Sequence, residues 1–90
     1  MTPQQWEQNA HHFDFRGHRI FFRDDGAGDA LIAIHGFPTS SWDWMKIWPG
    51  LTARHRVLAP DLLGFGLSAK PRGHAYTLVE QADLIEALAR

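Results

Sequence analysis

The chain has no cysteine. That excludes disulfides, thiolate nucleophiles and thiolate metal sites, and it gives no sign of secretion into an oxidising compartment. Charge of one sign is also lacking: nine Lys and Arg stand against ten Asp and Glu, a formal net charge of −1. So even a balance projects no long-range field toward nucleic acid or an anionic membrane, and neither is expected as a partner. No apolar run approaches the roughly 20 residues of a membrane span, and Met1 to Ala10 lacks the apolar core of a signal peptide. A soluble, cytoplasmic chain is the expectation. The six His are scattered without metal-ligand spacing, so no metal is expected. Gly26-x-Gly28 and Gly64-x-Gly66 each lack the third glycine and the helix placement of a dinucleotide fingerprint, so no cofactor is expected.

What remains is an ordinary globular composition, 44% hydrophobic and 21% charged, with four Trp and six Phe. Ninety residues make one small domain with a modest buried fraction. Residues 1–10 are polar and read as a loose lead-in, Trp6 being the one side chain there able to dock on a core. His12 to Arg16 and Arg19 to Asp24 read as a hairpin around Gly17-His18, and a turn cluster covers Asp24 to Asp29. Ala30-Leu31-Ile32-Ala33-Ile34 is a continuous apolar run, of the kind a parallel strand buried on both faces requires.

Ser40 is placed to cap a helix, with Asp43 three positions on, and Trp44, Ile47, Trp48 and Leu51 follow at helical spacing. Pro49 is expected to kink or shorten that helix. Val57 to Ala59, closed by Pro60, is a second short strand. After a turn-rich stretch, Thr77-x-x-Glu80 is a capping box, opening a helix with Leu78, Ala82, Ile85 and Leu88-Ala89 on one side. The order is β-hairpin, then β-α-β-α, which implies an α/β fold with a parallel sheet and right-handed crossovers.

One motif points to chemistry. The first apolar strand runs into His35-Gly36-Phe37-Pro38 and then Thr39-Ser40-Ser41-Trp42. A strand ending in His-Gly-x-Pro delivers a backbone N–H to a fixed point at the carboxyl edge of the sheet, where open α/β sheets hold ligands. A backbone donor aimed at developing negative charge is an oxyanion hole, and the chemistry it serves is hydrolytic. Two further elements follow in order: Ser41-Trp42-Asp43-Trp44, and Asp61-Leu62-Leu63-Gly64-Phe65-Gly66-Leu67-Ser68 after the next strand. Together, from about Arg19 to Arg90, these residues resemble the N-terminal part of an α/β-hydrolase, in the branch of epoxide hydrolases and dehalogenases.

The resemblance implies an Asp nucleophile, or Ser in esterase relatives, on a sharp strand-to-helix turn, with a His base and an acid later in the chain. None of these can be placed: the sequence has no Gly-x-Ser-x-Gly and no Gly-His-Asp-x-Gly. The final helix carries no Gly or Asn cap, so the end reads as a cut, with the nucleophile strand and later elements missing and an elbow expected within about 30 residues after Arg90. The catalytic element implied here is the Phe37 backbone N–H, one oxyanion donor, in a loop fixed by Pro38.

Around that donor the resemblance and the residue types assign supporting roles. His35 is read as bracing the loop in preference to moving a proton, and Gly36 as allowing close backbone approach. The Phe37 ring either lines a pocket or fills core, and Trp42 is similarly open. Trp44 and Trp48 are read as core, Asp61 as a brace for the Gly64-Phe65-Gly66 loop, and Ser68 as a structural hydroxyl. Phe37 stands where haloalkane dehalogenases often have Asn or Glu. It offers no side-chain donor to halide, which tilts the reading toward epoxide or ester hydrolysis.

The implied partner of the intact enzyme is a small apolar substrate, together with the missing C-terminal part of the fold. Two other classes compete: a non-enzymatic scaffold or interaction protein with the same fold, and a small-ligand binding module. Taken alone, the 90 residues are expected to be inactive and, with an apolar strand edge exposed, oligomeric, poorly soluble or partly molten.

Overall fold

A computed structural model of the chain describes residues 3–8, 10–35, 40–74 and 76–89. The elements are helix α1 (Pro3–Gln8), strands β1 (His11–Phe15), β2 (His18–Asp25) and β3 (Ala30–Ile32), a 3₁₀ helix (Ser41–Ile47), helix α2 (Trp48–Thr52), strand β4 (Arg56–Pro60) and helix α3 (Leu78–Ala89). The four strands form one sheet in the order β1-β2-β4-β3. Strand β3 runs parallel to β4 with Ile32 opposite Leu58, and β2 runs antiparallel to β4 with Phe22 opposite Pro60. The hairpin β1–β2 completes it, with Phe15 opposite His18. Its turn is Arg16-Gly17, one residue earlier than expected. Both residues have positive φ, 52° and 83°, the geometry that matches the twist of a tight hairpin.

Helices cover both faces of the sheet. On one side Trp6, Phe21, Trp48, Val57 and Ala59 form a core that brings α1 and α2 onto the strands. On the other, Phe15, Ile20, Leu63 and Leu84 seat α3. Ile20 and Phe21 are neighbours on β2 and serve opposite cores, as the two-residue period of a strand demands. Within the expected lead-in, Pro3–Gln8 is helical and Trp6 docks on the core, only 2% exposed.

Three expectations need correction. The run 30–34 is strand only over Ala30–Ile32, and Leu31 and Ile34 are 37% and 49% exposed, because β3 lies at the open edge of the sheet. The helix after Ser40 begins as 3₁₀. Ser40 Oγ does accept from the Trp42 N–H (3.3 Å), and α-helix starts only at Trp48, with Pro49 in its first turn. Pro49 has no N–H to send back into the preceding turns, so the helix type changes there.

In α3, Thr77 Oγ1 accepts from the Glu80 N–H (3.1 Å), but the Glu80 carboxylate goes to His74 Nε2 (2.5 Å), so only half of the capping box forms. The helix is also rotated from its expected seating. Leu84 is fully buried and Leu78 is 89% exposed. Polar contacts set that rotation: the Gln81 amide both accepts from the Leu63 N–H (3.1 Å) and donates to the Leu63 carbonyl (2.9 Å), and Arg16 pairs with Asp83 (2.9 Å). Hydrophobic periodicity alone cannot weigh such contacts.

Two stability measurements follow. Leu84→Ala should cost about 2–5 kcal/mol by urea unfolding, whereas Leu78→Ala should stay within about 0.5 kcal/mol of the parent. Arg56 grips Asp24 through two bonds, Nε to Oδ1 (2.9 Å) and Nη2 to Oδ2 (2.7 Å). That side-chain hydrogen bonding, above all, holds the Asp24 carboxyl below its ordinary value. A depressed folded-state value contributes stability above the unfolded-state value and loses it as pH falls through the folded one. Asp24→Asn should therefore lower Tm at pH 6, and the parent and variant should converge once pH falls through the depressed value of the Asp24 carboxyl.

Candidate functional site

The carboxyl ends of the parallel strands β3 and β4 lie side by side, and the chain leaving each is held by the other. His35 stands three residues past β3, and its ring is buried. Its Nε2 accepts from the Leu62 N–H (3.0 Å), and its ring meets Phe65 edge-on at 5.5 Å. Asp61 directly follows β4 and is also buried. One carboxylate oxygen accepts from the Ser41 N–H (2.6 Å) and the other from the Leu67 N–H (2.8 Å). Such charge-assisted bonds are short and strong, and a buried carboxylate requires them.

Gly36, Phe37 and Pro38 lie outside the described residues. Both flanks of that segment are described. His35 on one side is bonded to residue 62, and Ser41 on the other is bonded to residue 61. Two adjacent residues after β4 thus hold both approaches to the segment.

The 61–68 loop is fixed in turn. The Ser68 hydroxyl donates to the Asp61 carbonyl (2.5 Å) and accepts from the Phe21 N–H (3.0 Å), and the Asp61 N–H donates to the Phe21 carbonyl (2.9 Å). These bonds lock the loop onto the middle of β2. Gly66 has φ 52°, and an added Cβ there would fall on the Asp61 carboxylate, so the glycine is what lets the loop close around that group. Asp61 bonds at Leu67, one residue beyond the expected Gly64-Phe65-Gly66 stretch.

The other aromatic candidates are divided. Trp48 is buried, while Trp42 and Trp44 are partly buried against the same core. Trp42 meets Trp6 edge-on at 5.9 Å and borders a concavity of about 380 Å³ that also includes Ser40, Asp61 and Leu67. His35 belongs to a different hollow, an open apolar groove of about 410 Å³ between Ile34, Leu62 and Phe65 on one side and Leu78, Ala82 and Ile85 of α3 on the other. The structure therefore brings His35 and Asp61 to consecutive anchor points but lines separate hollows with them. Among the described residues, no group of three His, Asp or Glu side chains is placed to hold a metal, and no helix is long and apolar enough to cross a membrane.

Sequence reasoning missed a second buried charge. Arg23 lies over the Trp6 ring (4.4 Å) and near that of Trp48 (5.5 Å). It donates to the Trp6 carbonyl (3.1 Å) and to Asp25 Oδ2 (2.5 Å), which also accepts from Trp48 Nε1 (2.8 Å). Trp6 Nε1 donates to Ser41 Oγ (3.1 Å), so this cluster steadies the residue that Asp61 binds. The available signal was alternation: Phe21, Arg23 and Asp25 share one side of β2.

The tightness of the loop is measurable. Gly66→Ala should lose about 1–3 kcal/mol of stability in urea unfolding. Gly50→Ala, where an added Cβ meets nothing within 4 Å, should be neutral or slightly stabilising.

The chain is similar to known proteins in sequence and in fold. The human mesoderm-specific transcript homolog protein is 51% identical over 90 residues, an overlap of 94% of this chain and 27% of that protein. Haloalkane dehalogenase 2 of Mycobacterium bovis is 40% identical over 83 residues, covering 92% of this chain and 29% of that one. Among solved structures, the epoxide hydrolase CorEH superposes with a TM-score of 0.83 at 31% identity, over 89% of this chain and 28% of its own. The chain thus spans under a third of the length of each. The family model for the alpha/beta hydrolase fold matches residues 29–90, and this chain belongs to that family.

Proposed function

We propose that this chain is the N-terminal part of a hydrolase acting on small apolar epoxide or ester substrates, and that it contributes the Phe37 backbone N–H as one oxyanion donor. The observation that carries this reading is the pair of anchors at residues 61 and 62, which hold His35 and Ser41 on either side of the Gly36-Phe37-Pro38 segment. An oxyanion donor works because it is fixed before charge develops, so a segment tied at both approaches is suited to supply one. His35 then acts as a brace, with its Nε2 lone pair occupied by the Leu62 N–H. Phe37 brings no side-chain donor for halide, which favours epoxide or ester substrates over haloalkanes.

The nucleophile, base and acid belong to sequence beyond this segment in the longer protein. Ser68 and Asp61 are not substitutes, because the hydroxyl and both carboxylate oxygens are engaged in holding the loop. That engagement also supports a second reading for the 90 residues taken alone, a non-enzymatic fold unit.

Two experiments test the proposal. The 90-residue chain should show no turnover of p-nitrophenyl acetate or styrene oxide above a blank, and turnover would overturn the assignment of the nucleophile elsewhere. In a longer chain carrying this segment ahead of a nucleophile elbow, replacing the Phe37 amide by an ester removes the N–H and keeps the ring. The kcat should fall by about 10²–10³ with KM little changed; an unaltered kcat would remove Phe37 from the oxyanion hole.

A further inference from the structure

Helix α1 has six residues, too few to hold a helix together in water. Among its described side chains Trp6 alone is buried, while Gln4, Gln5, Glu7 and Gln8 are exposed. What keeps α1 on the protein is therefore chiefly where Trp6 goes. Its indole meets Trp48 edge-on at 5.0 Å and Trp42 at 5.9 Å, and the Arg23 guanidinium lies over its face. Arg23 also donates to the Trp6 carbonyl (3.1 Å), so one guanidinium grips both the ring and the backbone of this residue. That hold fixes the direction of the indole N–H, which donates to the Ser41 hydroxyl (3.1 Å).

Ser41 is fully buried and is held twice. Its N–H donates to Asp61, and its Oγ accepts from Trp6. A single bond to the backbone fixes a point and leaves the residue free to pivot about it. A second bond, to the side chain and from a different element, removes the pivot. We propose that α1 is a strap on the oxyanion segment and that Trp6 is a positioning residue for the reaction, acting through Ser41. This rests on the reading of the Phe37 N–H as an oxyanion donor. Asp61 sets where residue 41 lies, and Trp6 sets how it is turned. A short helix held by one buried side chain can open locally without disturbing the sheet. Opening it would strip the buried Ser41 hydroxyl of its donor and Arg23 of the Trp6 carbonyl. A residue far from the substrate thus governs the precision of a catalytic donor, where small displacements slow the reaction.

The test uses a longer chain that carries this segment ahead of a nucleophile elbow. Trp6→Phe keeps an aromatic ring and removes the N–H. It should lower kcat by roughly three- to tenfold with KM little changed, and should speed exchange of the Ser41 amide by a similar factor. Trp44→Phe is the matched control. The Trp44 indole N–H is buried and has no hydrogen-bond partner among the described residues, so the same change there should leave both readouts at parent values. Ser41→Ala should reproduce the loss, and the double variant Trp6→Phe, Ser41→Ala should be no worse than either single one, because both ends of one bond are then gone. Replacing the Phe37 amide by an ester in parallel separates the two roles: an unaltered kcat there removes the oxyanion reading, whereas Ser41 exchange reports on the Trp6 hold whatever the turnover. The proposal is overturned by Ser41 exchange indifferent to Trp6→Phe, by losses that add in the double variant, by a fall in kcat that Trp44→Phe matches, or by an unaltered kcat in Trp6→Phe where the Phe37 ester lowers it.

Discussion

A carboxylate buried at the end of a strand must find hydrogen-bond donors within the protein, and where Asp61 finds them decides how the carboxyl edge of this sheet is built. Its two oxygens take N–H groups from Ser41 and Leu67, which belong to different parts of the chain. One bond draws in the start of the helix that follows β3, and the other closes the loop that follows β4. The neighbouring residue, Leu62, adds the bond to His35. Removing these bonds would leave buried donors and a buried charge unsatisfied, at about 1–3 kcal/mol for each unpaired group. The loop's other fixtures are subordinate to this one: Gly66 leaves room for the carboxylate, and Ser68 joins the Asp61 carbonyl to β2.

Much of the fold was legible because its signals are local. The hairpin, the apolar strands, Ser40 as a cap, Pro49 as a break and Thr77 as a helix start each depend on a few adjacent residues, and each appears within a residue or two of its expected place. What misled was the part that depends on partners far away in sequence. The rotation of α3 follows from Gln81 gripping Leu63 and from Arg16 meeting Asp83, contacts no periodicity encodes. The exposure of Leu31 and Ile34 at the β3 edge was expected for these 90 residues; what differed is that the strand ends at Ile32.

The candidate site divides in the same way. That His35 and Asp61 matter was visible in the motifs around them. That they act from consecutive anchor residues, 61 and 62, required the parallel pairing of β3 and β4, which puts the two strand ends together. The Arg23, Asp25, Trp6 and Trp48 cluster was invisible except as an alternation along β2, because an arginine ordinarily faces water. The cluster matters to the site through one contact, from Trp6 to Ser41.

The central claim is that the Asp61 carboxylate fixes the chain on the far side of the Gly36-Phe37-Pro38 segment. Residue-resolved amide hydrogen exchange on the folded chain addresses it most directly. The Ser41 and Leu67 amides should exchange slowly in the parent, and both should become fast in Asp61→Ala while the Ala33 amide, bonded to Leu58 inside the sheet, stays protected. Fast exchange at Ser41 and Leu67 in the folded parent would contradict the account.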